Sequence, residues 1–228
     1  MIAVSSLELR VGARVLIESA TFRVGTGDRI GLVGRNGAGK TTLTKVLAGE
    51  GLPAAGTVTR GGEIGYLPQD PRTGDLEVLA RDRILSARGL DQVIRDMREM
   101  EGRMASSDDA VRDKAMERYG RLEGEMMSKG GYAAEAEAAT IAANVGLPDR
   151  ILEQPLSTLS GGQRRRVELA RILFSGADTL LLDEPTNHLD ADSIVWLRDF
   201  LRTYKGGFIV ISHDVTLIET VVNKVFYL

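Results

Sequence analysis

The run GRNGAGKT at residues 34–41 has the residue types and the spacing of a loop that binds phosphate. It fits the pattern G-x-x-x-x-G-K-[ST] and lies between a predicted strand and a predicted helix. Its glycines let backbone N–H groups point at phosphate oxygens, and the N-terminus of the helix adds the positive end of its dipole. Lys40 is expected to contact the outer phosphates of a nucleotide, and the Thr41 hydroxyl is expected to ligate Mg²⁺. The predicted phosphate-binding residues are Gly34, Arg35, Asn36, Gly37, Ala38, Gly39, Lys40, Thr41 and Thr42.

Two adjacent carboxylates, Asp183 and Glu184, follow an apolar run at residues 180–182. The run predicts a buried strand, and α/β sheets bind ligands at the carboxyl ends of their strands. Asp183 is predicted to hold Mg²⁺ through water. Glu184 is then predicted to orient or deprotonate an attacking water, as a general base does. The alternative is an acidic junction between a strand and a loop, without chemistry.

Gln69 and His213 are the side chains expected to act with these carboxylates. Gln69 follows the run YLP and supplies an uncharged oxygen for a metal. His213 follows a predicted buried strand, where its imidazole could contact a terminal phosphate. His188, the other histidine of the chain, is interpreted as structural. The predicted catalytic residues are therefore Glu184, His213 and Gln69, and the predicted metal ligands are Thr41, Gln69 and Asp183.

A second glycine-rich run, LSGGQ at residues 159–163, opens another predicted helix. Ser160 and the backbone amides of Gly161 and Gly162 predict a second anion site, closed by Gln163. One chain cannot easily bring both anion sites to the same phosphate, so this loop is predicted to cap ATP held by another copy. Three arginines follow at residues 164–166. They could draw in nucleotide or RNA, but two of them are interpreted as part of a solvated helix face with partners such as Glu168.

Composition indicates an ordinary globular protein, with 43% apolar and 27% charged residues in a chain of 228. No apolar run approaches the roughly 20 residues that cross a bilayer. The first five residues lack the basic and apolar regions of an export signal, and there is no cysteine. These features predict a cytoplasmic protein without direct membrane insertion. Because the net charge is −3, contact with nucleic acid would need a local basic face.

Short apolar segments predict strands in two parts of the chain, one before and one after a helical stretch. One pair, residues 57–59 and 63–67, is predicted to meet across Gly61 and Gly62. A helix is predicted from Thr41 to Ala48. Together these elements predict an α/β fold with a mixed sheet. The other predicted strands are residues 7–9, 15–17, 29–33, 179–182, 208–211 and 225–228, and the other predicted helices near them are 161–174 and 191–201.

Helix formers dominate between the two strand-rich parts. Apolar residues recur there at helical spacing in two segments, which predicts an antiparallel helical hairpin with a narrow apolar seam. Its methionines are interpreted as seam packing rather than as a ligand surface. Residues 105–109 break the pattern and can cap the second helix. The chain is thus assigned a nucleotide-binding core of residues 1–74 and 155–228 and an inserted helical subdomain of residues 75–154, with a third helix at 133–145.

Taken together, the motifs resemble the ATP-binding cassette (ABC) domain over almost the whole chain. The phosphate loop, Gln69, LSGGQ, the Asp183–Glu184 pair, Asp190 and His213 occur in the order of that family. The resemblance implies a P-loop ATPase fold in which two cassettes close face to face on ATP and open after hydrolysis. It also implies that Glu184 is the catalytic base, that Asp183 holds Mg²⁺ and that His213 is the switch histidine.

A narrower resemblance is to the ABC-F group, soluble proteins with two cassettes in tandem that act on the ribosome. It is carried by DEPTNHLD at residues 183–190 and by the helical hairpin inserted after Gln69, which is called the arm in that group. The resemblance implies that this chain is the first cassette of a longer protein. Its implied partners are a second cassette and the ribosome or tRNA, and its implied role is translation or protection of the ribosome from antibiotics.

Two features depart from these patterns. ABC cassettes commonly stack adenine on an aromatic residue near the N-terminal turn, where this chain has Val11, so base selectivity is expected to be loose. The hairpin tip carries Asp108 and Asp109, whose charges repel phosphate. Better candidates for RNA contact lie on the hairpin flanks, interleaved with acids: Arg95, Arg98, Arg112, Lys114, Arg118 and Arg121.

Two other functions remain open at this point. The chain could be the ATPase subunit of a membrane transporter, which would need a separate membrane partner. It could also be a nearly inactive cassette that uses ATP binding as a switch.

Overall fold

The structure is a computed structural model, and it describes residues 1–69 and 74–228. These residues form two compact units, one of residues 1–69 and 176–228 and the other of residues 74–175. The named strands all lie in the first unit. They are β1 Ile2–Val11, β2 Arg14–Val24, β3 Arg29–Val33, β4 Ala55–Arg60, β5 Ile64–Leu67, β6 Thr179–Asp183, β7 Gly207–Ile211 and β8 Lys224–Tyr227.

The helices are divided between the units. The first unit has α1 Lys40–Ala48, α8 Ala191–Thr203 and α9 Val215–Val221, and the second unit has α2 Ala80–Leu85, α3 Leu90–Met104, α4 Asp109–Ser128, α5 Gly131–Asn144, α6 Asp149–Leu152 and α7 Gly161–Phe174. The predicted helices therefore exist, while the short helices α2, α6 and α9 were not predicted. Within the described residues, no helix is long and apolar enough to cross a membrane.

An antiparallel sheet of three strands, in the order β2–β1–β4, forms one layer of the first unit. The hairpin between β1 and β2 closes with Val11 opposite Arg14. Gly12 lies in its turn with φ at 59°, which a side chain would disfavour. The buried residues Ile2 and Val4 pack with α1 and the second sheet in one hydrophobic core. The predicted turn at Gly12 is confirmed.

The second sheet has five strands in the order β5–β6–β7–β3–β8, and every neighbouring pair is parallel. β6 and β7 are buried along their whole length, as central strands are when both faces of a sheet are covered. Because all five strands run the same way, their carboxyl ends lie at one edge of the sheet. The residues that follow β5, β6, β7 and β3 therefore meet at that edge.

The α/β fold is confirmed, but one predicted strand pairing is wrong. β4 pairs with β1 and β5 pairs with β6, so the two strands on either side of Gly62 belong to different sheets. The Asp178 carboxylate accepts a hydrogen bond from the Glu63 backbone N–H at 2.9 Å, and the Thr179 N–H donates to the Glu63 carbonyl at 3.2 Å. These bonds direct β5 to the start of β6. The antiparallel and parallel strands consequently form two sheets instead of one mixed sheet.

The second unit is helical, and α3 and α4 form the predicted antiparallel hairpin. Val93 and Met97 of α3 and Leu122 and Met126 of α4 are buried, as expected of an apolar seam. The Asp108 carboxylate caps α4 by accepting from the backbone N–H of Ala110 at 2.9 Å. This cap gives the acidic tip a structural role.

The boundary after the helical unit differs from the sequence assignment, which returned residues 155–175 to the nucleotide-binding core. In the structure they belong to the helical unit. One tie between α7 and the rest of the unit is the Glu168 carboxylate, which is 3% exposed and lies 2.6 Å from Arg83 of α2 and 2.9 Å from Arg171 of α7. Leu79 and Pro155 also form an antiparallel bridge that joins the two ends of the unit.

Candidate nucleotide-binding site

The phosphate loop runs from the end of β3 to the start of α1. Gly39 precedes the helix with φ at 104°, and no side chain caps the helix N-terminus. A Cβ at Gly34 would lie 2.5 Å from the Leu228 carbonyl oxygen, so the loop has no room for a side chain there. The Lys40 ammonium crosses the loop and donates to the carbonyls of Gly34 at 2.9 Å and Arg35 at 3.1 Å. The loop thus presents backbone N–H groups and one cation to the same space.

Thr41 and Asp183, both predicted metal ligands, meet although they are far apart in sequence. The Thr41 hydroxyl donates to the Asp183 carboxylate at 2.7 Å, and Asp183 is 1% exposed. Both provide oxygen, which Mg²⁺ prefers, and Mg²⁺ usually completes its shell with phosphate and water. No group of three acidic or histidine side chains in the described part of the chain could hold a metal by itself. The pair therefore fits a metal that arrives with a phosphorylated ligand.

Glu184 lies directly after β6 and is held from two sides. Its backbone N–H donates to the Ile211 carbonyl at 2.8 Å, and its side chain accepts from the His213 backbone N–H at 3.3 Å. Its φ is 50°, an uncommon value for a residue with a side chain, and strained backbone of this kind clusters at functional sites. Burial raises the pKa of Glu184 above its usual value, although the His213 N–H and the neighbouring positive charges oppose the rise.

The exposed imidazole of His213 lies beside this buried carboxylate. Its Nε2 atom is 3.5 Å from Glu184 Oε1, while 76% of the histidine side chain is exposed and 9% of the glutamate side chain. The imidazole is therefore open to solvent, while the carboxylate beside it is nearly buried. His188, by contrast, is exposed in the following loop with φ at 69°.

These groups line one cavity of about 650 Å³ in the first unit. Gln69 lines it too, so the structure brings together the phosphate loop and all three predicted catalytic residues. The sequence did not single out Arg14 and Leu16, which line the cavity from β2, because only the register of the β1–β2 hairpin turns them toward it. The remaining lining residues are Val11, Asn36, Gly37, Gly39, Lys40, Thr41, Thr42, Asp183, Glu184, Thr186, Asn187, Ile211, His213 and Asp214.

The LSGGQ loop belongs to the helical unit, where Ser160 is exposed and precedes α7. The Ser160 hydroxyl accepts from the Gln163 N–H at 3.2 Å, and the Gln163 side chain accepts from the Ser160 N–H at 2.9 Å. This reciprocal pair is a capping box. Gly161 is exposed, and a Cβ added to it would meet no atom within 4 Å. Ser160 and Gly161 therefore face solvent, although the loop satisfies part of its own hydrogen bonding.

Two of the three arginines after this loop have structural surroundings, but these are not the predicted solvated helix face, and the ion pairs of Glu168 are with Arg83 and Arg171 instead. Arg165 is 5% exposed, and Arg166 donates to the Gly146 carbonyl at 3.1 Å. Asp190 likewise serves the fold, because its carboxylate accepts from the Ser193 N–H at 2.9 Å and caps α8. These contacts leave Arg164 as the arginine of the run that is neither buried nor bonded to a helix end within the described residues.

A family model described as ABC transporter matches residues 17–187, a stretch that includes the phosphate loop, the LSGGQ loop and both carboxylates. The chain belongs to the ABC transporter family. This ABC cassette therefore binds ATP, and its fold is that of a P-loop ATPase. The resemblance inferred from the motifs is confirmed at the level of the family.

Named relatives agree with this assignment. The cassette is 33% identical over 228 residues to the probable ATP-binding protein YheS of Escherichia coli K12, covering 100% of this chain and 34% of that protein. It is 36% identical over 216 residues to the tylosin resistance ATP-binding protein TlrC of Streptomyces fradiae, covering 90% of this chain and 38% of that protein. It thus spans little more than a third of the length of these curated relatives.

A solved ATP-binding cassette has the same fold. It is a dimer in a post-hydrolysis state bound to ADP and Pi, and it is similar to this chain with a TM-score of 0.66 at 19% identity. The similarity covers 100% of this chain and 94% of that one. That solved cassette is therefore a dimer.

Proposed function

We propose that this cassette hydrolyses ATP with Mg²⁺ as the first of two cassettes in an ABC-F-like protein that acts on the ribosome. The observation that carries the hydrolytic part is the position of Glu184. This nearly buried residue follows Asp183 in the chain and lines the same cavity as the Thr41–Asp183 pair and the phosphate loop.

The binding step uses the phosphate loop. Lys40 and the N–H groups of the loop bind the outer phosphates of ATP, since both present positive charge to the cavity. Thr41 and Asp183 would hold Mg²⁺, with Gln69 as a further oxygen ligand. A bound Mg²⁺ would neutralise negative charge on the phosphates.

The hydrolytic step depends on Glu184. Its carboxylate orients a water against the terminal phosphate and accepts a proton from it. Burial raises the pKa of this carboxyl, which makes its ionised form a better proton acceptor. The backbone N–H of His213 fixes one carboxylate oxygen, and the exposed imidazole lies on the cavity side, where it can contact the terminal phosphate.

The third part of the proposal is the second cassette. Ser160 and Gly161 face solvent, so the LSGGQ loop is accessible to the ATP of another cassette. In the intact protein this partner would be the second cassette of the same chain, and for the isolated cassette it would be another copy. Dimer formation by that solved cassette supports the arrangement.

The ribosomal part is supported by four features. The hairpin of α3 and α4 lies between Gln69 and the LSGGQ loop in the chain, after the short helix α2, and residues 187–190 carry the NHLD loop of the ABC-F resemblance. The relative TlrC is named for tylosin resistance. The cassette also spans only 34% of YheS and 38% of TlrC, as expected for one part of a tandem protein.

Sedimentation of the intact protein with ribosomes tests this part. With Glu184→Gln and Mg-ATP, we expect the protein to pellet with ribosomes, because ATP is bound but not consumed. The matched control is Glu219→Gln, since Glu219 is an exposed carboxylate on α9 outside the cavity. A protein that instead copurifies with an integral membrane protein and never pellets with ribosomes would favour the transporter subunit.

A further inference from the structure

The nucleotide cavity has a second wall that does not belong to the phosphate loop. It consists of Val11, Arg14 and Leu16, on the hairpin of β1 and β2. This wall adjoins the phosphate loop directly, because a Cβ at Gly39 would lie 2.9 Å from Leu16 Cδ1. A nucleotide whose phosphates occupy the loop therefore has this hairpin beside the rest of the molecule.

The register of the hairpin places Val11 and Arg14 on one face. Val11 and Arg14 are opposite partners across the two-residue turn, and residues directly opposite in an antiparallel pair project from the same face. Leu16 lies where the register shifts, between the Arg10–Val15 and Leu9–Ile17 pairs, and at this bulge it also lines the cavity. Arg10 and Val15 form the next pair and project from the other face.

Arg14 is the flat group on this wall. Among the described residues that line the cavity there is no Phe, Tyr or Trp, and no described carboxylate lies within ion-pair distance of the Arg14 guanidinium. A guanidinium is planar, weakly hydrated and able to stack on an aromatic ring. Val11 and Leu16 can add apolar contact but not a plane.

We propose that the Arg14 guanidinium is the platform on which the base of the bound nucleotide stacks. The proposal rests on ATP binding at the phosphate loop. Stacking of this kind tolerates different bases, because every base has a π face. The platform therefore adds affinity for nucleosides without selecting adenine, and ATP and GTP bind with similar affinity.

Calorimetric titration of the 228-residue chain tests the platform, with Glu184→Gln present so that nucleotides persist. The probes are Mg-ATP, Mg-GTP and magnesium tripolyphosphate, which has no base. Arg14→Ala is expected to weaken both nucleotides about 5- to 30-fold and to leave tripolyphosphate unchanged. Arg14→Lys is expected to be as weak as Arg14→Ala, whereas Arg14→Tyr restores affinity because it returns a flat ring.

The opposite pattern would overturn the platform. If Arg14→Ala weakens tripolyphosphate as much as ATP, or if Arg14→Lys restores binding fully, the side chain acts as a charge on phosphate. Unchanged nucleotide affinity in Arg14→Ala would show that Arg14 has no role in nucleotide binding. Arg10→Ala is the matched control, since it deletes an arginine from the other face of the hairpin. Lys40→Ala should abolish binding of all three probes, and its failure to do so would refute the phosphate site itself, separately from Arg14.

Discussion

The two glycine-rich helix starts of this cassette satisfy their backbone N–H groups in different ways. At α1, Gly39 precedes the helix and no side chain caps it. At α7, Ser160 and Gln163 bond reciprocally in a capping box. The first helix start leaves its donors for a ligand, while the second satisfies some of them itself. Sequences that look alike, each a glycine-rich run before a helix, thus produce two different local states.

This difference indicates different conditions for binding. The phosphate loop has Lys40, the proposed metal ligands Thr41 and Asp183 and the proposed base Glu184 in one unit, so we infer that it binds ATP without a second cassette. The LSGGQ loop offers only the remaining N–H groups and the exposed Ser160 hydroxyl. We therefore infer that it contributes to ATP binding only when the phosphate loop of another cassette already holds the nucleotide.

The largest expected effect comes from Glu184→Gln, which removes the proposed general base and leaves both glycine-rich loops intact. Turnover should fall roughly 10²–10⁴-fold, because the general base is lost. ATP affinity should survive, because Lys40 and the loop are unchanged. Phosphate release and calorimetric binding measure the two effects, with Glu219→Gln as control. Turnover at the parent rate would exclude Glu184 as the base, and a parent rate already near background would favour the inactive switch.

The next largest effect is expected from Ser160→Asp, which changes the LSGGQ loop and leaves the phosphate loop unaltered. Aspartate keeps the capping acceptor, so the fold should retain its stability. Its charge would face a phosphate in the closed dimer, and such like-charge contacts cost several kcal/mol. We expect ATP binding by the monomer to be unchanged and the ATP-dependent dimer to be lost in light scattering. Ser157→Ala, a change at an exposed serine nearby, should dimerise normally; a Ser160→Asp dimer as strong as the parent dimer would contradict the role of this loop.

A glycine in each loop provides a smaller contrast. Gly39→Ala should destabilise the fold by about 1–3 kcal/mol, because alanine disfavours a φ of 104°. Its Cβ would also crowd Leu16. Gly161→Ala should change stability by no more than about 0.5 kcal/mol, since this glycine opens α7 in free space. Denaturant unfolding compares the two, and equal costs would show that the loops are not conformationally distinct.

The smallest expected effect is on stability against pH. Burial raises the pKa of Glu184, so the folded state favours its protonated form. The stability from this preference is present below the ordinary pKa of glutamate and is lost as the pH rises through the raised value. Glu184→Gln should therefore unfold at a slightly higher temperature than the parent at neutral pH, and the difference should vanish below about pH 4. If the difference in unfolding temperature instead grows as the pH falls, the pKa of Glu184 is lowered and not raised.

The sequence predicted the fold class and most of the elements because their local signals agree with the tertiary structure. The helix predicted at 161–174 has those bounds in the structure, since Ser160 caps its start and apolar residues repeat along it. The pairing of β4 with β5 failed for a nonlocal reason. Asp178, more than a hundred residues away, directs β5 to β6, and no pattern near Gly62 shows that contact.

The candidate site was also predictable where a motif fixes the backbone. Lys40, Thr41, Asp183 and Glu184 meet as expected, because each follows a strand whose carboxyl end lies at the same sheet edge. Arg14 was missed because its direction depends on hairpin register, which a single residue type does not encode. The LSGGQ loop was predicted as an anion site, but its capping box shows that the same residues also stabilise the helix.

The most direct measurement is a mixing experiment with two variants of the isolated cassette, both carrying Glu184→Gln. Lys40→Ala keeps a working LSGGQ loop, and Ser160→Asp keeps a working phosphate loop. Neither variant alone should dimerise with Mg-ATP in light scattering, whereas the equimolar mixture should, because one complete site forms across the mixed dimer. A mixture that remains as monomeric as its separate components would contradict the claim that two cassettes share each ATP.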